Sequence, residues 1–184
     1  MITYNDIYEA ARKERYNEQL QSLPKNFIDE VSNYLREKKE MASKQDDDFN
    51  DIIMKTKKQL ENAVTLFKEL MLRRRKKLLN LVLIAGETGI SKQDFENMLA
   101  IEKQLFEDLM KCIDTVDKKL NENMTGKKNG EMKNELIIFK EAVEQFIGLS
   151  EEKIGPFEKG QIANLPREIS NILIADGKAE VVEE

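Results

Sequence analysis

The sequence predicts an α+β fold, in which a mainly α-helical bundle forms the N-terminal domain and a small β-rich domain follows it. Three observations lead to this class. Apolar residues recur at helical spacing through the first two thirds of the 184-residue chain. A polar segment, residues 121–130, then interrupts the pattern. Beyond it, six glycines and prolines fall within the last 40 residues, which is typical of short strands and turns.

These changes of pattern divide the chain into three parts. We expect a helical domain over residues 1–120, a linker over 121–132 and a β-rich domain over 133–184. A module of about 50 residues is near the lower size limit for independent stability. We therefore expect the β-rich domain to be held by a flexible tether and to depend on docking or on a partner.

Two shorter helices open the chain. Ile7, Tyr8, Ala11 and Arg15 mark one face of a helix over residues 6–20. Pro24 then interrupts the pattern, and a proline in the first turn predicts the start of a second helix. The apolar stripe of this second helix consists of Phe27, Ile28, Val31, Tyr34 and Leu35. The polar residues 36–48 predict a solvated helix end and a loop.

The third predicted helix, residues 48–85, is the longest. Its apolar residues fall close to a heptad stripe made of Phe49, Ile53, Leu60, Ala63, Val64, Phe67, Leu70, Met71, Leu78 and Val82. At 1.5 Å per residue it would run roughly 55 Å, which is too long for the interior of one compact bundle. Part of it should therefore lie against a partner or another domain. The residues that we predict at a subunit or partner interface are Phe67, Met71, Arg74 and Leu78.

Arg74 is the most informative residue of this helix. It shares the phase of Ile53, Leu60 and Phe67, where an apolar side chain is expected. An unpaired buried charge is costly, so a guanidinium at this position predicts a carboxylate partner at a packed interface.

A fourth helix is predicted after the glycines of residues 86–89. Ser91 is a good N-cap, and Asp94 resembles the acid of a capping box. The helix is expected to run to about residue 121. Cys112 lies on its predicted apolar face with Leu105, Leu109 and Val116, which predicts an inert thiol in the core.

The last third of the chain predicts short elements joined by turns. Residues 136–139 are apolar and fit either a strand or a helix. Residues 155–160 predict a turn between short strands, and residues 166–175 predict a helix on which Ile169, Ile172 and Leu173 pack toward the strands. Gly177 should end that helix, and residues 179–182 should form a closing strand.

Composition excludes much of the common active-site chemistry. The chain has no His, which removes the imidazole base of hydrolytic triads and the commonest metal ligand. Its single Cys, Cys112, can form neither an internal disulfide nor a zinc cluster. We therefore expect a protein that is not an enzyme and that uses no cofactor or metal.

The charge balance limits the classes of partner. The 30 Lys and Arg residues against 35 Asp and Glu residues give a net charge of −5, so wrapping of DNA is disfavoured. No stretch reaches the roughly 20 apolar residues of a membrane span. The N-terminus lacks the basic and apolar regions of a signal peptide. The expected compartment is the cytoplasm, with no membrane partner.

Two charged runs each have a functional and a structural interpretation. In residues 73–77, contact with an acidic partner or DNA would use Arg73, Arg75, Lys76 and Lys77. The structural interpretation, which we favour, is solvation and pairing with acidic residues of neighbouring helices. Asp46, Asp47 and Asp48 lack the spacing and the glycine of an EF-hand, so they predict an acidic loop and not a cation site.

Several short motifs of the C-terminal segment form a recognisable pattern. They are Phe146-Ile-Gly148, Gly155-Pro156-Phe157, Lys159-Gly160, Leu165-Pro166, Asn171-Ile-Leu-Ile174 and Gly177-Lys-Ala-Glu180. This pattern resembles the small domain of GINS subunits of the archaeal and eukaryotic replisome. Residues 8–15, 20–27 and 72–78 are also similar to the helical domain of that family.

The resemblance implies a non-enzymatic subunit of a GINS tetramer, either homomeric or built with a sister subunit that has the two domains in the opposite order. The domain order and the short length are similar to the archaeal type. The family implies assembly with the minichromosome maintenance helicase and a RecJ-like nuclease or Cdc-type protein at the replication fork, in support of helicase activity. Primase and polymerase are further candidate partners, DNA contact would be weak or indirect, and nucleoid association would come through the replisome.

One alternative function stays open at this point. The chain could be a free-standing helical DNA-binding or adapter protein that uses the basic residues 73–77. A stable monomer with salt-sensitive affinity for DNA would favour this alternative.

Overall fold

A computed structural model describes residues 2–43, 50–125, 134–149 and 153–182. The helices are α1 (Tyr4–Tyr16), α2 (Phe27–Ser43), α3 (Asn50–Ala85), α4 (Lys92–Glu96), α5 (Ala100–Thr125) and α6 (Arg167–Ala175). The strands are β1 (Ile90–Ser91), β2 (Asn134–Phe139), β3 (Phe146–Ile147), β4 (Lys153–Ile154), β5 (Gln161–Pro166) and β6 (Ala179–Val181). Helices dominate the first part and short antiparallel strands the last, so the predicted α+β class is confirmed.

The chain divides into two compact units, Met1–Lys77 and Leu78–Glu184. The long helix α3 contributes residues to both, because the division falls within it. Residues 126–133, which form most of the predicted linker, lie outside the described residues. The predicted domains, 1–120 and 133–184, stay a prediction.

The first unit packs α1, α2 and the first part of α3 around one apolar cluster. Thr3 caps α1 through a capping box, in which its side chain accepts from the Asp6 N–H and the Asp6 carboxylate accepts from the Thr3 N–H. The cluster consists of Ile2, Ile7, Ala11, Phe27, Val31, Ala63 and Leu70. Spacings of four residues in α1 and α2 and of seven residues in α3 place these side chains on one face of each helix, as the apolar pattern predicts.

Helix α3 buries one narrow face along its length. Its buried residues are Ala63, Leu70, Arg74, Leu78, Val82 and Ala85. Four of them belong to the predicted apolar stripe, while Phe67 and Met71 are half-buried. Phe49, which was also assigned to the stripe, lies outside the described residues.

The prediction of one continuous fourth helix is wrong. Two separate helices, α4 and α5, take its place. Ser91 caps α4, and its side chain accepts from the Asp94 N–H at 3.0 Å as expected. The chain then turns at Asn97, and a new helix, α5, begins at residue 100. The Glu102 carboxylate accepts from the Leu99 N–H at 2.9 Å and so satisfies an amide at the start of α5.

The main sheet of the second unit has four strands in the order β1-β5-β2-β6, and each pair of neighbours is antiparallel. Strand β1 comes from the segment between α3 and α4, and Ile90 pairs with Ile162 of β5. The expectation of a β-rich module held only by a flexible tether is therefore wrong. Residues 136–139, which were ambiguous, belong to β2.

Helix α6 closes the sheet core. Its C-terminus carries a Schellman motif, in which the Gly177 N–H donates to the Ile174 carbonyl and the Lys178 N–H donates to the Leu173 carbonyl. Gly177 has a φ of 74°, so its predicted role is confirmed. Ile169 and Leu173 join the sheet core, but Ile172 is 62% exposed, and its predicted packing is wrong.

Candidate functional site

A buried ionic cluster joins α1 to α3 inside the first unit. Arg74 Nη1 donates to Glu14 Oε2 at 2.9 Å and to the Gln21 carbonyl at 2.6 Å, and neither charged side chain is exposed. Lys77 Nζ also donates to the Glu14 carboxylate and to the Gln19 carbonyl. The carboxylate partner predicted for Arg74 is present, but it belongs to the same chain and not to another subunit.

A second, more exposed ionic cluster lies on the same two helices. Glu69 Oε1 accepts from Arg15 Nη2 at 2.7 Å and from Arg73 Nε at 3.0 Å. Hydrogen bonds from Arg73 and Arg15 lower the pKa of the Glu69 carboxyl. Because all three side chains are at least 31% exposed, this cluster contributes little to stability.

The predicted basic run therefore separates into two groups. Arg73, Arg74 and Lys77 pair with carboxylates of their own unit. Arg75 and Lys76 are exposed. Ion pairs within the chain thus occupy three of the five basic residues, and a contact of the run with an acidic partner or DNA stays a prediction.

The four residues predicted at a subunit interface have different environments. Arg74 and Leu78 are buried within this chain and present no surface to a partner. Phe67 is half-buried and packs against the apolar cluster of the first unit. Met71 is half-buried as well, and an interface role for these two residues stays a prediction.

Helix α3 carries an exposed apolar stripe that the sequence patterns did not predict. It consists of Leu72, Leu79 and Leu83, whose exposed fractions are 50%, 44% and 65%. Spacings of seven and four residues place the three side chains on one face of the helix. The sequence did carry a signal for this stripe. The apolar residues of α3 cover more of the helix circumference than one buried face requires, so some of them must be exposed.

A second exposed apolar stripe runs along α5. It consists of Ile101, Leu105, Cys112, Val116, Leu120 and Met124, all of which are exposed. The core side of the helix instead carries Phe106 and Met110. The prediction that Cys112 is a core thiol is wrong, because α5 turns a different apolar face to its own core.

Three phenylalanines and a glycine turn organise the β-rich part of the second unit. The rings of Phe139 and Phe157 stack with centroids 4.3 Å apart, and Phe146 lies 6.5 Å from Phe157. Gly155 has a φ of 86° and precedes Pro156, so the chain turns sharply and places Phe157 in the core. The remaining motif residues lie on strand β5 (Leu165 and Pro166), in turns (Gly160 and Gly177) or in a loop (Gly148).

A groove of about 440 Å³ lies beside this core. Its exposed apolar lining includes Ile147, Leu149 and Ile172, with Glu144 and Lys178 among the charged residues. Such a lining suits an apolar protein segment better than a small charged ligand.

A larger cavity of about 760 Å³ lies in the second unit between α5 and the sheet. Asp114 on its wall accepts hydrogen bonds from the side-chain amides of Asn134 at 2.9 Å and Asn164 at 3.2 Å. Burial raises the pKa of the Asp114 carboxyl, and the two amides oppose that effect. The carboxylate therefore links α5 to β2 and β5.

The described residues contain no group of three or more potential metal ligands. Asp46, Asp47 and Asp48 lie outside them, so the interpretation of that run as an acidic loop stays a prediction. Among the helices that the structure describes, none is long and apolar enough to cross a membrane.

A comparison with protein families finds one match, and it falls on the β-rich part. Residues 135–182 match the family described as Gins51, C-terminal domain. The β-rich part of the chain is similar to the C-terminal domain of Gins51. A search of curated proteins found no match.

The Gins51 domain contains every C-terminal motif on which the resemblance to GINS subunits was based, from Phe146 to Glu180. The resemblance is thereby confirmed, and the order of the helical part before the β-rich part fits it. The matched domain is consistent with a subunit of the GINS complex, which acts in replication.

Proposed function

We propose that this chain is a non-enzymatic GINS subunit of the archaeal type, which assembles with other GINS subunits at the replication fork. In this assembly it binds the minichromosome maintenance helicase and a RecJ-like protein and supports helicase activity. The observation that carries the proposal is the Gins51 domain over residues 135–182.

The surface of the helices supports an assembly function. The stripe on α3 and the stripe on α5 expose apolar side chains in a chain that is 35% charged. Apolar surface grouped along a helix face is typical of protein interfaces. A closed tetramer with two kinds of contact needs two separate surfaces on each subunit, and the two stripes meet this need.

The ionic contacts of α3 argue against the DNA-binding alternative. DNA binding by residues 73–77 requires several cations free to meet phosphates. Arg74 is buried on Glu14, Lys77 donates to the same carboxylate, and Arg73 is paired with Glu69. We therefore assign the basic run mainly to the packing of α1 against α3.

The proposal is tested with a forked-DNA unwinding assay. The helicase is measured alone, with the chain, and with the chain plus the RecJ-like protein, and co-purification is scored in parallel. We expect a several-fold rise in unwinding rate that requires the chain. Absence of both stimulation and co-purification would contradict the proposal.

A matched pair of variants tests whether α3 mediates the assembly. The double substitution Leu79→Glu and Leu83→Glu charges the exposed stripe without touching the core, so it should abolish stimulation while the helical circular dichroism persists. Asn80→Glu adds charge in the same turn, about 100° around the helix from Leu79, and should retain stimulation. Equal stimulation by both variants would exclude this stripe from the interface.

A further inference from the structure

The β-rich part of the second unit has an apolar core of its own. The core cluster takes side chains from β2, β4, β5, α6 and β6, and all of its buried members lie between residues 137 and 179. On β5, Ala163 and Leu165 belong to this core, and the alternation of a strand turns Asn164 to the opposite face. A part of a chain that has its own core can stay folded when it separates from its neighbours.

Strand β5 is held at its start by β1, in the segment that joins α3 to α4. The pairing covers two residues on each strand and places Ile90 opposite Ile162. A further backbone hydrogen bond runs from the Gly155 N–H to the carbonyl of Glu87, which precedes β1. Such a narrow connection at the end of an element can act as a hinge.

The other end of β5 is held by side chains. Asp114 on α5 accepts from the side-chain amide of Asn134 at 2.9 Å and from that of Asn164 at 3.2 Å. Asn134 is the first residue of β2 and pairs with Pro166, the last residue of β5. We call the contact of Asp114 with these two asparagines the Asp114 latch. The latch and β1 therefore hold opposite ends of the same strand.

The cavity of about 760 Å³ lies beside the latch. Its apolar walls include Val82 of α3, Met110 of α5 and Leu165 of β5. Side chains that line a cavity make fewer contacts than those in a filled core. Apolar packing is thus interrupted on this side of the sheet, and the hydrogen bonds of the latch carry part of the attachment.

An ionised latch holds the sheet less firmly than a neutral one. Asp114 is half-buried and Asn164 is 7% exposed, so the carboxylate has lost part of its hydration. Burial raises the pKa of the Asp114 carboxyl, the two amides oppose that effect, and the nearby Asp117 raises the pKa further. The docked arrangement therefore binds the proton more readily than an open one and is weakened when the carboxyl ionises.

Other charged side chains line the same cavity. They are Glu87, which follows α3, Asp117 and Lys118 of α5, and Lys153 of β4. The formal charges of these two acids and two bases cancel. Among the described residues of the wall, Asp114 therefore carries the remaining negative charge.

We propose that the Asp114 latch is a proton-linked switch. Ionisation of Asp114 promotes rotation of the folded sheet away from α5 about β1, and a proton on Asp114 holds the sheet docked. This opening is distinct from unfolding, because the core of the β-rich part stays intact. The proposal is independent of the replication function proposed above, because it concerns contacts within one chain.

The opening is tested by labelling thiols with dithiodipyridine, which reacts in acid and at neutral pH, in a Cys112→Ser background. Met110→Cys reports the α5 wall of the cavity, and Ala163→Cys reports the core of the β-rich part, at positions that are 5% and 0% exposed. Each rate is divided by that of the same chain unfolded in urea. We expect Met110→Cys to be labelled at least about 10-fold faster than Ala163→Cys, because the sheet opens more often than it unfolds. Equal rates would overturn the proposal.

The effect of the charge is tested by adding Asp114→Asn to the Met110→Cys reporter. The neutral side chain removes the buried charge and can still accept from an amide, so labelling should slow several-fold. Asp108→Asn, at an exposed carboxylate on the same helix, should leave the rate unchanged. Labelling that is unchanged or faster with Asp114→Asn would overturn the proposal.

The pH dependence gives a readout that a merely structural contact would not change. Because the proton favours the docked arrangement, normalised labelling of Met110→Cys should fall several-fold from pH 8 to pH 5. Division by the rate of the unfolded chain removes the titration of the thiol itself. The profile should be flatter with Asp114→Asn. An equally steep profile would assign the effect to another group, such as Glu87 or Asp117, and would overturn the proposal.

A second reporter guards against a variant that does not fold. Val82 is 3% exposed and lines the cavity from α3. Val82→Cys should follow Met110→Cys in every comparison, and it replaces that reporter if circular dichroism shows Met110→Cys to be unfolded. Labelling of Val82→Cys as slow as that of Ala163→Cys would contradict the opening as well.

Discussion

Arg74 and Glu14 form a 2.9 Å ion pair in which neither side chain has any solvent exposure. The pair joins α1 to α3 across 60 residues of sequence. Arg74 also donates to the Gln21 carbonyl, and Glu14 also accepts from Lys77 and from the Gln21 N–H. The long helix α3 is thus joined to α1 by a buried polar contact as well as by apolar packing.

Removal of one member of this pair should be strongly destabilising. Arg74→Met leaves the Glu14 carboxylate buried without its guanidinium partner, and we expect a loss of about 3–5 kcal/mol in the free energy of unfolding. The double variant with Glu14→Leu should recover much of that loss, because no unpaired buried carboxylate remains. Urea unfolding of both variants measures the difference; a double variant as unstable as the single one would show that the carboxylate is not the source of the loss.

The exposed members of the basic run should be dispensable for folding. Arg75→Ala with Lys76→Ala should change the free energy of unfolding by less than about 0.5 kcal/mol, since neither residue is buried. We also expect weak, salt-sensitive binding to fluorescent duplex DNA in both the wild-type chain and the variant. Tight binding that the two substitutions abolish would instead restore the DNA-binding alternative.

The link between β1 and the sheet can be tested at one glycine. A Cβ at Gly89 would lie 2.9 Å from the Ile162 carbonyl oxygen, and its φ of 73° disfavours any side chain. Gly89→Ala should therefore cost about 1–3 kcal/mol. Gly86→Ala, where nothing lies within 4 Å, is the control. Equal thermal midpoints for the two variants would argue against the pairing of β1 with β5.

Asp114 should give stability a specific dependence on pH. Burial raises the pKa of its carboxyl in the native state above the value in the unfolded state. The native state therefore binds the proton more readily, and the contribution of Asp114 to the stability of the fold becomes more favourable as the pH falls through the native pKa. Asp114→Asn is neutral and can still accept a hydrogen bond from an amide. Its melting temperature relative to the wild-type chain should therefore be highest at neutral pH and should decline toward pH 4.

The control for that experiment is Asp108→Asn, at an exposed carboxylate on the same helix. Melting curves from pH 4 to pH 8 on all three proteins provide the comparison. A difference between Asp114→Asn and the wild-type chain that does not vary with pH would show that the carboxyl titrates alike in both states.

Local sequence patterns predicted most of the helices and strands. Where the predicted and observed elements differ, long-range contacts are the reason. The Ser91 cap and the Gly177 turn have signals within a few residues, and both are confirmed. Strand β1 has two residues and pairs with β5 about 70 positions later, so no local periodicity reveals it. The division of the fourth helix has no proline or glycine to mark it.

The candidate site was predictable only in part, for a related reason. Arg74 stood out because a charge occupied an apolar phase, and the spacing of Ile7, Ala11 and Glu14 on one face of α1 was a usable signal for its partner. On α5, apolar residues cover roughly half of the circumference, so periodicity cannot distinguish the core face from the exposed stripe. This ambiguity led to the wrong placement of Cys112.

In the proposed function, this chain is an assembly subunit whose exposed helix faces are covered by other subunits. Light scattering coupled to size exclusion, over about 1 to 100 μM protein, tests it most directly. We expect a particle whose mass is at least twice the 21.4 kDa of one chain and which persists at the low end of that concentration range. A particle of 21.4 kDa at every concentration would contradict it.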